Sequence, residues 1–179
     1  MLALSNWQKN KQLFLNWTVT IISIVLCAIL LPVRLPGMDL LGLAPNWLLI
    51  WVVAWSVKRT ALQGAIAGLA LGLIQDGMTA GYPSHALSLA CVGILTAWIK
   101  KHRYIQEDFI SVALIVFGMA VVAETIMAIQ FGLMGARPIA EIWTDYQRIV
   151  LSSAILSSLW APVVYYPLNR WWRRVNLPD

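Results

Sequence analysis

Long apolar runs, broken by short basic or turn-forming segments, organise the chain. Six of them cover approximately residues 14–31, 45–57, 61–75, 83–99, 109–134 and 149–168. About 20 apolar residues in a helix cross a hydrocarbon core about 30 Å thick. The pattern therefore predicts an all-α polytopic membrane protein with six transmembrane helices. The second run is short unless residues 38–44 enter the membrane with it. The six runs use nearly the whole chain, so residues 1–179 are expected to form a single integral-membrane domain.

Composition sharpens that reading. Of 179 residues, 60% are hydrophobic and only 12% charged, against about 25% charged in soluble domains. The basic residues then give an orientation. Lys9, Lys11, Lys58, Arg59, Lys100, Lys101, Arg103, Arg170, Arg173 and Arg174 fall on one side of alternate crossings, and Arg34, Arg137 and Arg148 on the other. Ten against three is a positive-inside pattern that puts both termini in the cytoplasm. The net charge of +5 thus concerns topology and the lipid bilayer, whose anionic headgroups attract such clusters. Nucleic acid is not indicated, because the charges come in small groups at helix ends. Trp7, Trp17, Trp143, Tyr146, Trp171 and Trp172 stand where interfacial aromatic anchors belong. The first apolar run lacks the small-residue cleavage site of a signal peptide, and bulky Leu26 before Cys27 argues against a lipoprotein. Cys27 and Cys91, isolated inside predicted spans, read as packing residues.

The third run carries a second pattern. Gly64, Gly68 and Gly72 recur every fourth residue, and Asp76 is the next step of the series. On a helix these positions share one face, so the glycines form a helix-packing groove with Asp76 at its outer end. Small residues at this spacing let backbones approach closely. The groove packs another span of the same protein or takes a partner helix directly. Asp76 on a packed face needs donors, and the turn at Gly77, Thr79 and Gly81 is expected to supply them. Pro83 suits the first turn of the next helix, with Ser84 and His85 behind it. A helix–turn–helix hairpin pinned by one buried polar group, with Gly81 and His85 at the turn, is the expectation.

Catalytic constellations do not assemble around it. "DGMTAG" resembles the start of the aspartate-rich signature of CDP-alcohol phosphotransferases, but the further aspartates needed for a metal cage do not follow. Ser84 and His85 are sequence neighbours rather than residues of facing helices, and there is no Walker motif, no H-E-x-x-H and no cofactor fingerprint. No enzyme, cofactor or metal site is expected. The intramembrane acid Glu124, in "VVAETIMAIQ", is by default a functional candidate; the bland alternative is a hydrogen-bonded glutamate that fixes helix register. Gln75, His85 and Gln130 are the polar residues that would have to join it in a solute or proton path. Trp47, Trp51 and Trp55, at spacing four, make a ridge on the short second helix, to be used either in internal or lipid packing or as a partner face.

Taken in order, Pro45-Asn46-Trp47-Leu48-Leu49, Gly68-Leu69, Gly72-Leu73-Ile74-Gln75-Asp76, Gly81 and His85-Ala86-Leu87 resemble the MreD family of bacterial rod-shape-determining membrane proteins. Size, span count and orientation agree along essentially the entire chain. The N-terminus and the tryptophan-rich second run are not family hallmarks. The resemblance implies a non-enzymatic scaffold in the cytoplasmic membrane. Its implied partners are MreC, RodA with its class B penicillin-binding protein, and indirectly MreB filaments, in lateral peptidoglycan synthesis. It also implies an overall fold like that of the substrate-binding membrane subunits of energy-coupling-factor transporters. A solute-binding subunit of that type is the alternative function. It would need a polar outward pocket, for which only Arg34, Asp39, Arg137, Glu141, Asp145 and Arg148 are at hand.

Overall fold

Each apolar run becomes helical, since in hydrocarbon a backbone must satisfy its own hydrogen bonds. The structure, a computed structural model, describes residues 2–33, 42–79, 83–102, 109–135 and 139–175. Six helices follow one another: α1 Leu2–Leu30, α2 Trp47–Ser56, α3 Ala61–Met78, α4 His85–His102, α5 Phe109–Met134 and α6 Ile139–Val175. Among the described residues there is no strand. Three stretches among the described residues are long and apolar enough to cross a membrane: Gln12–Leu30, Phe109–Met134 and Glu141–Arg174. Helix α6 is much longer than its apolar run, extending from residue 139 through the whole arginine cluster, with Pro162 and Pro167 inside it.

The core is built around the shortest helix. With 10 residues, α2 is about 15 Å long at 1.5 Å per residue, half a hydrocarbon thickness. It is apolar all round, which marks a helix wrapped on every side, and it is buried from Trp47 to Ala54. Two side-chain ties set its register on α6. The Asn46 amide donates to the Ser157 hydroxyl at 3.0 Å, and the Lys58 ammonium just after α2 donates to the Asn169 side-chain oxygen. Both ties join residues 111 apart, so α2 and α6 run parallel. Asn46 also caps α2, accepting from the Leu49 amide at 3.1 Å. The helix therefore begins inside the bundle, where non-helical backbone is tolerated only against protein.

Helices α3 and α4 form the tightest antiparallel pair, and α5 and α6 a second one. Helix α1 is attached more thinly. Only 6% of Gln12–Leu30 is buried, with Cys27 set into the core. The Trp51 indole N–H donates to the Ser23 hydroxyl at 2.8 Å and adds a polar tie.

Of the two uses expected for the tryptophan row, internal packing and a partner face, that burial favours packing. The Trp47–Trp51–Trp55 ridge is not an open partner face. Trp47 is 4% exposed and lies 5.6 Å from the Trp160 ring of α6. Trp51, 2% exposed, stacks on Trp55 at 6.0 Å. Trp55 lies under the Arg59 guanidinium, 5.1 Å from its ring centre. A short helix surrounded by longer ones has no free side, so its largest rings become the filling of the bundle.

Candidate functional site

Two groups of polar residues stand out, one in each hairpin. The first closes α3 onto α4. Helix α3 starts with a full capping box, Thr60 and Gln63 each accepting from the other's backbone amide. Four turns later Asp76 sits just past the apolar run. Its Oδ1 accepts from the His85 amide at 2.7 Å and from the His85 ring at 2.8 Å. Its Oδ2 accepts from the Ser84 hydroxyl at 2.7 Å and more weakly from the Ala86 amide at 3.4 Å. A carboxylate from the end of one helix thus caps the start of the next, where orphan amides and the positive end of the helix dipole favour negative charge. An ionised carboxylate only accepts, so the His85 ring donates to it through Nδ1. The donors are not those expected from the turn at Gly77 and Thr79; they come from the first residues of α4. Gly81 lies outside the described residues. Pro83 precedes α4 by two residues instead of sitting in its first turn.

Electrostatics follow from this geometry. Burial alone would raise the Asp76 carboxyl, but hydrogen bonds from the His85 amide, the Ser84 hydroxyl, the His85 ring and the Ala86 amide hold it below the ordinary carboxylate value. A third helix joins in. The Gln130 side chain on α5 accepts from the Ser84 amide and donates to the Ser84 carbonyl, both at 3.1 Å. Ser84 is therefore the junction of α3, α4 and α5. Chemically this is a fastener. Asp76 stands between the serine and the histidine, so the Ser84 hydroxyl gives its proton to a carboxylate instead of to an imidazole base, the reverse of a nucleophile relay.

Below the fastener the helices touch backbone to backbone. A Cβ built on Gly68 would lie 2.8 Å from Cα of Ala90 and closer still to the Leu89 carbonyl. One on Gly64 would meet the Gly93 backbone, and one on Gly93 the Gly64 backbone. One on Gly72 would collide with Ala86 and reach within 2.7 Å of the His85 carbonyl. The face opposite the three glycines thus belongs to the same chain. Gly93 was missed by the reading from sequence. Its signal was available in Ala86, Ala90, Gly93 and Ala97, a small-residue stripe along one face of α4.

The second group lies between α5 and α6. Glu124 accepts from the Ser153 hydroxyl at 3.0 Å, and neighbouring Thr125 shares a 2.8 Å hydrogen bond with the Tyr146 hydroxyl. Towards the α5–α6 turn the facing stripes diverge around a cavity of about 130 Å³. Glu124, Met127 and Phe131 line it from α5, Ile142, Asp145 and Tyr146 from α6. His85 is within electrostatic reach of Glu124, but Gln130 is committed to Ser84 and the buried Gln75 oxygen has no hydrogen-bond partner. The polar residues named from sequence are not joined into a ladder. Arg34, Asp39 and Arg137 lie outside the described residues. Among the described residues no three His, Cys, Asp or Glu side chains group as metal ligands.

Comparison with known proteins agrees with the resemblance read from the motifs. The family model described as "rod shape-determining protein MreD" matches residues 10–170. No curated protein and no solved structure matches the chain. A match that takes in α2 to α5 whole and all but the outer ends of α1 and α6 places the fastened α3–α4 hairpin and the α5–α6 pair inside one family unit: the chain belongs to the MreD family of rod-shape-determining membrane proteins.

Proposed function

We propose that the chain is a non-enzymatic membrane scaffold of the bacterial cell-elongation machinery. It crosses the cytoplasmic membrane six times with both termini inside, as a single integral domain. There it binds MreC and links MreB filaments to RodA and its class B penicillin-binding protein. The observation that carries the reading is the family match over residues 10–170. The geometry supports it in two ways. The polar residues of the α3–α4 hairpin are spent on holding helices together. Most of α1, by contrast, offers apolar surface to whatever lies beside it. The orientation is supported by Lys58, Arg59, Arg170, Arg173 and Arg174 sharing the end of the bundle where Lys58 meets Asn169.

The α5–α6 cavity is the observation on the side of the alternative, a solute-binding subunit of an energy-coupling-factor type transporter. At about 130 Å³ it has room for a group about the size of benzene, too little for a vitamin. Purification in mild detergent decides between the two. MreC and the glycan polymerase with its penicillin-binding protein are expected to co-purify at fixed stoichiometry; recovery of ATPase coupling subunits or of a bound vitamin would overturn the scaffold. Orientation is read separately, by single cysteines in sealed spheroplasts. Positions 38 and 140 should react with an impermeant reagent and position 102 should not. Labelling at 102 would overturn the six-span, cytoplasmic-termini arrangement.

A further inference from the structure

Among the described residues the acids are Asp76, Glu124, Glu141 and Asp145. All lie towards the end of the bundle that holds the α3–α4 and α5–α6 turns. The opposite end, at the α2–α3 turn and the end of α6, holds Lys58, Arg59, Arg170, Arg173 and Arg174 and no described acid. At that end a cleft of about 600 Å³ opens between the α2–α3 turn and the end of α4. Lys58 and Arg59 stand on one side of it, Val57 and Ala97 form an apolar floor, and Trp98 borders it. Arg59 is held half-buried over the Trp55 ring, 5.1 Å from its centre. Its guanidinium makes no ion pair among the described residues, and it carries five N–H donors in a fixed planar fork. Lys58 is held by Asn169 and borders the same cleft. Trp98 is 57% exposed, an amphipathic ring of the kind that settles at headgroup depth.

We propose that this cleft is a binding site for one anionic glycerophospholipid. Arg59 takes the phosphate as a planar, bidentate donor, Lys58 adds charge, and the glycerol and first acyl methylenes lie over Val57, Ala97 and Trp98. The occupant is a lipid and not an acidic protein segment, because the charged side is continuous with an apolar floor and with the lipid-facing surface of α4, where Ile94 and Trp98 are exposed. The site rests on the chain being a membrane protein and is independent of which proteins it binds.

The test uses the full chain, delipidated in detergent and titrated with phosphatidylglycerol or phosphatidylcholine of identical acyl chains, with retained lipid read by native mass spectrometry. One phosphatidylglycerol is expected to survive activation that strips phosphatidylcholine. Arg59→Gln should weaken that retention about fivefold, the effect of one basic residue at a membrane surface. Arg59→Lys, which keeps the charge and loses the planar fork, should fall between. Arg148→Gln makes the same change of net charge at the other end and should leave retention unchanged. Helix content and melting of each variant are measured alongside, so that loss of fold is recognised, and Arg59→Lys carries the test if Arg59→Gln does not fold. Equal retention of the two lipids, or equal loss in Arg59→Gln and Arg148→Gln, would overturn the site. So would preferential capture of a polyprenyl phosphate, or of an acidic peptide, over phosphatidylglycerol at equal concentration. If co-purification fails to find the elongation proteins while these outcomes hold, the lipid site stands and the scaffold role falls.

Discussion

The α3–α4 and α5–α6 hairpins are both antiparallel helix pairs, and each has a carboxylate that accepts from a serine hydroxyl, Asp76 from Ser84 and Glu124 from Ser153, yet they are held together in opposite ways. In α3–α4 the helices meet at glycine, with no side chains between them at Gly64, Gly68 and Gly72. The acid stands at the end, where four donors surround it. In α5–α6 the acid Glu124 stands inside and accepts from one hydroxyl, and a cavity lined by side chains of both helices opens beside it. The difference follows from what hydrocarbon permits. Association there has no hydrophobic drive and depends on close packing and hydrogen bonds. A pair that gains its stability from backbone contact must place its charge where the helices end. A pair spaced by side chains can hold a carboxyl group within its length. The first pair is built to be rigid; the second retains room.

Substitutions break this comparison in graded steps, the largest at the glycines. Gly68→Leu or Gly93→Leu must force apart backbones already in contact, at or above the top of the range of about 1–3 kcal/mol typical of overpacking. Neither variant should accumulate as folded protein or restore rod shape to a defective strain. Gly118, on an exposed face of α5, is the control, since nothing lies within 4 Å of a Cβ built there. Gly118→Ala should fold as well as the parent or slightly better, because glycine inside a helix costs about 0.5–1 kcal/mol relative to alanine. A Gly118→Ala variant as damaged as Gly68→Leu, by thermal melting in detergent, would show that the loss at Gly68 does not come from its backbone contact with α4.

Next in size is the fastener. Asp76→Leu leaves the Ser84 hydroxyl, the His85 amide and the His85 ring without their acceptor, at about 1–3 kcal/mol for each donor stranded away from water, while the Ala86 amide keeps the Ser84 hydroxyl oxygen. Asp76→Asn keeps one acceptor oxygen and should lose about 1 kcal/mol, the value of an ordinary hydrogen bond, with shape complementation reduced modestly at matched membrane levels. A folded Asp76→Asn variant as inactive as a deletion would show that the charge serves something other than capping. The sign of the pH effect follows from the lowered carboxyl. Its stabilisation is present above the ordinary carboxylate range and is lost as pH falls through the lowered value. Acidification should therefore lower the melting midpoint of the parent more than that of Asp76→Asn, and parallel curves would remove the capping account.

The smallest effect is expected in the second pair. Glu124→Gln preserves an acceptor for the Ser153 hydroxyl and should cost under about 1 kcal/mol, within the range of one neutral hydrogen bond. If it instead abolishes shape maintenance while melting unchanged, the α5–α6 cavity has a functional occupant.

Much of this was legible in the chain. Helix number and type follow from apolar runs that have no other way to satisfy their backbone in a membrane. The Gly64–Gly68–Gly72 face and the proximity of Asp76 to His85 follow from spacing four and a short turn. Periodicity assigns a residue to a face without saying what meets that face. Donors to Asp76 were expected from the turn, and among the described residues they come from Ser84 and the first residues of α4. The junction of Gln130 with Ser84 spans 46 residues, and no local signal announces it.

The tryptophan ridge marks the limit most clearly. Spacing four on α2 put Trp47, Trp51 and Trp55 in one row whatever the fold, and their size guaranteed that the row would be used in packing. The sequence by itself determined an all-helical membrane protein, its close-contact glycine face and its family. Only the tertiary structure decided that α2 is the enclosed post of the bundle, that Gly93 answers Gly64, and that Asp76 caps a helix other than its own. The physical reason is that helical order is local, set within one turn of the chain. Enclosure and capping between helices depend on which elements close around a residue, and here those contacts join positions as much as 111 residues apart.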